Sequence, residues 1–173
     1  MIAYFGKDND IIVLSRNIVE ANNAYNNTSV MKSFTTVVWD GKNLGEWGKV
    51  INGSDLVINL CGKSVNCRYT KANKQAIFDS RTLPTKAIGQ AIQQSKRPPS
   101  LWINAASATI YRHAMDKPQD EFDGEIENDF SVQVCKKWEA TFFELETPFT
   151  RKVALRTAIT LGNAGVMYPI LTY

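Results

Sequence analysis

Several chemically useful side chains fall at the ends of apolar runs. Ser15-Arg16-Asn17 close and follow "DIIVLS" (10–15). In a parallel sheet that binds a dinucleotide, a basic residue at this place meets a ribose 2′-phosphate, and an acidic one would bond the 2′-hydroxyl. Arg16 could equally be a solvated loop arginine. Asp40-Gly41 follow "FTTVVW" (34–39), and Asp40 could meet an adenine amine or start a turn. Leu60-Cys61-Gly62 close and follow "DLVINL" (55–60). Small residues there let a cofactor come close to backbone, and an ordinary strand-to-helix turn uses the same residues. Ala105 and Ala106 end "SLWINAA" (100–106), and Ser107 follows them. At a cleft mouth the Ser107 hydroxyl can hydrogen-bond a substrate oxygen. Tyr111, four residues on, could face the same space, or the pair could be a capped turn with a packed tyrosine. Arg156 lies inside a fifth run, "KVALRTAITL" (152–161), and if buried it needs a partner.

These residues need a scaffold that gathers strand ends. The five runs are short, β-branched and nearly continuous in apolar residues, the pattern of parallel strands covered on both faces. Between them, 70–95 has apolar residues at helical spacing, with Thr70 as N-cap and Pro84 expected to kink or divide the helix. A second helix spans 130–146, with Val134, Trp138 and Phe142 on one stripe and Pro148 soon after its end. Weaker helical patterns cover 17–25 and 43–51, and Gly162-Asn163-Ala164-Gly165 reads as a flexible loop. Strands alternating with helices give an α/β domain with a mostly parallel sheet and right-handed crossovers. Such sheets bind ligands beyond the carboxyl ends of their strands, where the residues above fall.

Composition narrows the function class. The chain has 173 residues, 44% of them hydrophobic, which is one domain or most of one with a proper core. Its 20 basic and 17 acidic residues leave a net charge of +3, too mild to argue for nucleic acid. No basic cluster suggests a membrane surface. Neither a signal peptide nor a run of about 18 apolar residues is visible. Three scattered cysteines and one histidine make no metal site of known spacing. A reduced, cytoplasmic protein is the expectation.

In order and spacing, "VLSRN" (13–17), "DLVINLCGKSV" (55–65), "RYT" (68–70), "SR" (80–81), "PPSLWINAASATIY" (98–111), "CKKWE" (135–139) and "VALRTAITLGNAG" (153–165) resemble the epimerase-like branch of the short-chain dehydrogenase/reductase superfamily. The resemblance implies a Rossmann-like NAD(P)-binding domain, with NADP as cofactor and NAD possible. It makes Arg16, flanked by Ser15 and Asn17, a 2′-phosphate contact. It makes Leu60, Cys61 and Gly62 the cofactor-lining turn and puts Ser107 where the superfamily keeps its catalytic Ser/Thr, and Tyr111 matches a family tyrosine of unclear role. From their strand-end places, Asp40, Ala105 and Ala106 are also expected at the cofactor, and Tyr111 beside Ser107 at catalysis. A small molecule or nucleotide-sugar-like compound would be the substrate.

Two departures matter. The superfamily's Tyr-x-x-x-Lys pair is missing: Ser131 takes the tyrosine position and Cys135 the lysine position. A serine without an activating base and a neutral thiol cannot replace that pair, and Lys136 and Lys137 are out of register. The chain alone is therefore expected to lack turnover, and a non-catalytic NADP sensor or scaffold is the alternative. Also, "YFGKDNDIIV" matches the end of the family's first helix and the start of its second strand. The first strand and its Gly-rich turn are not in the sequence. The expectation is a partial domain, 1–173, from a longer protein that adds a substrate-binding half.

Overall fold

In the computed structural model, residues 2–25 and 32–158 are described. A short helix α1 (Ile2–Phe5) leads into β1 (Asp10–Ser15), α2 (Ile18–Tyr25) and β2 (Ser33–Val38). A 3-10 segment (Glu46–Ile51) precedes β3 (Leu56–Asn59), and α3 (Lys71–Gln94) links it to β4 (Leu101–Ser107). A 3-10 turn (Ala108–Ile110), α4 (Phe130–Glu144) and β5 (Arg151–Thr157) complete the order. Every strand pairing is parallel, as expected of an α/β Rossmann-like domain.

The sheet is in two pieces. β1 pairs with β2, and β3, β4 and β5 pair in that order. Among the described residues, no ladder joins β1 to β3. In the 3-2-1-4-5-6 order of the fold, these are strands two and four, and strand one runs between them. Both pieces share one core: Leu14 and Val37 pack against the buried cluster of Trp39, Trp47, Val57, Trp102 and Phe142. Trp102 and Phe142 meet edge to face, with centroids 4.6 Å apart, a contact adding about 0.5–1.5 kcal/mol beyond burial. Trp39 and Trp47 both donate their indole N–H to the Asn43 carbonyl, which ties the start of the 43–51 stretch to the 3-10 segment at Glu46–Ile51.

The expectation of strands covered on both faces needs correcting. β4 alternates: Trp102, Asn104 and Ala106 are buried against α3 and α4, and Leu101, Ile103, Ala105 and Ser107 on the other face are half-buried. Ile12, Val38, Leu56 and Leu155 are 44–59% exposed. The apolar runs are those of covered strands, but the described helices cover one face of β3–β5 only.

Pro84 does not divide α3. The helix runs unbroken from 71 to 94, capped by the Thr70 side chain on the Asn73 N–H. Around the proline, side chains satisfy backbone carbonyls: Ser80 Oγ donates to Ile77 O, Thr82 Oγ1 to Phe78 O and Thr85 Oγ1 to Arg81 O. Pro84 itself is buried, so packing offsets the hydrogen bond that its ring removes. No described helix is long and apolar enough to cross a membrane. The loop expected at 162–165 lies outside the described residues.

Candidate functional site

The carboxyl ends of β1, β2 and β3 converge. Val13, Leu14, Ser15, Arg16, Asn17, Glu20 and Ala21 line a concavity of about 540 Å³ where β1 passes into α2. Asn17 is the helix cap: its Oδ1 accepts from the Glu20 N–H, and its Nδ2 reaches Glu20 Oε2. Ser15 Oγ accepts from the Asn17 N–H and donates to the Asn17 carbonyl. Ser15 and Asn17 thus build the turn, and Arg16 projects from it. Arg16 is exposed and makes no ion pair among the described residues. Its Cδ lies 3.9 Å from where a side chain would begin at Gly41, whose φ of +74° also favours glycine. Its charge draws the Cys61 thiol downward, against a larger upward push from burial. Arg16 of the β1 end thus lies against Gly41 of the β2 end, and its charge reaches Cys61 at the β3 end.

Asp40 acts as the turn starter. Its Oδ1 accepts from the backbone N–H groups of Lys42 and Asn43, and its Oδ2 from Asn43 Nδ2. Led by the Asn43 N–H, these bonds hold its carboxyl below the usual range.

A second cavity, about 350 Å³, opens beyond β3 and β4. Leu60, Cys61 and Gly62 form one wall, Ala106, Ser107 and Thr109 another, and Ile77 and Arg81 of α3 a third. Ser131, Cys135 and Trp138 of α4 complete it. That i, i+4, i+7 spacing puts all three on one helix face, capped by Asp129 on the Val132 N–H. Ser131 and Cys135, which the resemblance sets at the expected tyrosine and lysine positions, thus face the cavity with a hydroxymethyl and a thiol. Burial, then repulsion from Glu139, pushes the Cys135 thiol up, so it is neutral near pH 7. Ser107 caps the next 3-10 turn through the Thr109 N–H and donates to Thr109 Oγ1, leaving its oxygen at the cavity wall.

Ala105, on the opposite face of β4, and Tyr111 are outside this lining. The Tyr111 hydroxyl is bound by Arg156 Nη1 at 2.6 Å, and Arg156 forks onto both Glu139 oxygens at 2.9 and 2.7 Å. Glu139 is the partner that Arg156 needed.

Sequence reading missed the buried polar network that holds the cavity's walls. Asn59, Thr85 and Asn104 are almost fully buried. Asn59 Nδ2 donates to Asn104 Oδ1 and Thr85 Oγ1, and Trp138 Nε1 also donates to Thr85 Oγ1. Asn59 Oδ1 accepts the Cys61 N–H, fixing the 60–62 turn. One network thus sets the relative positions of β3, β4, α3 and α4.

No family model matches the chain. The epimerase family protein SSP1921 of Staphylococcus saprophyticus is 33% identical over 144 residues, 83% of this chain and 47% of that protein. This is an epimerase-like chain of the short-chain dehydrogenase/reductase superfamily. The epimerase family protein YfhF of Bacillus subtilis is 29% identical over 91% of this chain and 49% of its own. The epimerase-like chain thus spans about half the length of these curated relatives. The crystal structure of human epimerase family protein SDR39U1 (isoform 2) with NADPH has the same fold, with a TM-score of 0.65 and 22% identity, over 94% of this chain and 59% of that one.

Proposed function

We propose that this epimerase-like chain binds NADP at the converging strand ends, as part of a protein that carries out hydride chemistry on a small polar substrate. The observation that carries the reading is the approach of Arg16 to Gly41 at the ends of β1 and β2. An unpaired guanidinium beside a glycine, at the end of the fold's second strand, suits the 2′-phosphate of an adenosine. Ser15 and Asn17 hold the turn that aims it. The Leu60-Cys61-Gly62 turn and Ala106 line the next stretch of the cleft, and Asp40 and Ala105 support it from the β2 and β4 ends. The residues present fit the adenosine end.

When bound, the nicotinamide supplies the hydride. The chain's own part at the second cavity is to orient: the Ser107 hydroxyl turns from Thr109 Oγ1 to a substrate oxygen, and Trp138 and Ile77 exclude water. Arg156 orients Tyr111 outside that cavity. A nucleotide-sugar-like compound in a cytoplasmic setting is the substrate class that fits, and the free thiols of Cys61, Cys67 and Cys135 accord with a reducing compartment.

A second reading has its own support. With Ser131 and Cys135 on the cavity wall, no acid/base of suitable pKa faces it, which favours an NADP-binding sensor or scaffold. Titration calorimetry with 2′,5′-ADP and with 5′-ADP tests the binding claim. Preference for the 2′-phosphate, lost in Arg16→Ala, supports it; equal binding of both nucleotides removes Arg16 from the site. Turnover of NADPH by the longer protein against sugar nucleotides separates enzyme from sensor.

A further inference from the structure

Arg81 is the one charged residue lining the second cavity among the described residues. It sits in α3, half-buried, with its guanidinium carbon 5.3 Å from the Trp138 ring centroid. On its other side, a side chain at Gly62 would begin 3.4 Å from that same carbon. Its Nη1 donates to the Ile77 carbonyl at 3.0 Å and reaches Ser80 Oγ at 3.4 Å. No carboxylate pairs with it among the described residues, and neither Nε nor Nη2 has a hydrogen-bond acceptor there. Nearby Glu139 is already held by both arms of Arg156.

A half-buried cation with spare donors is costly unless an anion meets it. Burial lowers its pKa, yet a guanidinium stays protonated in proteins. Its setting is also rigid. Thr85 Oγ1 donates to the Arg81 carbonyl and accepts from Trp138 Nε1, so the buried network fixes both the arginine's backbone and the ring it stacks on. A fixed planar fork with two unused donors, opening onto a cavity with the hydroxyls of Ser107 and Ser131, matches a carboxylate or a phosphoryl group.

We propose that Arg81 is the anion-recognising residue of the second cavity, and that the substrate carries a carboxylate or phosphoryl oxygen to it. This rests on the reading of the cleft as a cofactor and substrate site, and names the substrate's charge. The cofactor's own diphosphate is the other source of the same chemistry.

The test is NMR titration of the 173-residue chain, following the Arg Nε–H signals. Malonate and inorganic phosphate are the probes, added at constant ionic strength with and without saturating NADPH. The expected result is a saturable shift of the Arg81 signal, with a midpoint on the order of 1 mM, that persists with NADPH bound. In Arg81→Met, whose unbranched chain keeps the packing on Trp138, the saturable shifts of the cavity backbone amides disappear; Arg112→Met leaves them intact. Unchanged amide shifts in Arg81→Met overturn the proposal. Displacement of the anion by NADPH also overturns it, since Arg81 then belongs to the cofactor's diphosphate. If NADPH does not bind at all, the cofactor reading fails separately. The anion arm still decides: Arg81-dependent saturation supports recognition, and its absence refutes it.

Discussion

At the scale of single residues, the site divides into groups that meet ligand and groups that hold them. On the proposed reading, Arg16 belongs to the first. A hydrogen bond to a charged group contributes about 1.5–3 kcal/mol, so Arg16→Ala should weaken NADPH binding about 10- to 100-fold and leave NADH nearly unchanged, as read by calorimetry. Glu139 belongs to the second, because it neutralises Arg156 at a partly buried position. Glu139→Ala should cost about 1–3 kcal/mol in urea unfolding and release the Tyr111 hydroxyl. Arg112 gathers Asp116 and Glu125 at the surface, and its hydrogen bond, ahead of one from Lys117, holds the Glu125 carboxyl down from 4.5 to about 2. A depressed carboxylate stabilises above its unfolded value and loses that contribution as it protonates. The 112–125 loop should therefore loosen as pH falls from 4.5 towards 2, seen as faster amide exchange there. Strand-end residues such as Arg16 and Ser107 were legible in the sequence because their placement follows from local pattern. The partners of Asn59 were not, since Thr85 and Asn104 lie 26 and 45 positions away, and nothing local marks which polar residues meet in a core.

At the scale of elements, β1, α2, α3 and α4 follow from hydrophobic period and capping residues, which are short-range signals. Pro84 shows where such signals stop. Its ring removes one helical bond, but its burial decides the outcome, and that depends on packing that the local pattern does not encode. Thr85 is the joint between elements, since its hydroxyl serves Asn59, Trp138 and the Arg81 carbonyl together. Thr85→Val keeps the volume and removes those partners. It should destabilise by about 1–3 kcal/mol, and the Trp138 indole N–H resonance should shift with it.

At the scale of the molecule, the divided sheet is the dominant feature. β4 is paired on both sides and buried on one face, and β1 and β3 are each paired on one side only. Amides of β4 should accordingly exchange slowest and those of β1 and β2 much faster. The α/β class was readable from alternating runs, and the strand order and the break between β1 and β3 were expected from the resemblance. The uncovered face of β3–β5 was not, because an apolar run looks the same whether or not a helix lies over it. The central claim, that converging strand ends bind NADP through Arg16, is tested most directly by thermal unfolding of the 173-residue chain with saturating NADPH, with NADH and with neither. A ligand at about 100 times its Kd adds about 2.7 kcal/mol, or roughly 5–10 °C for a domain of this size. A rise with NADPH that NADH does not match is the expected result. An unchanged midpoint, or equal rises with both, would contradict it.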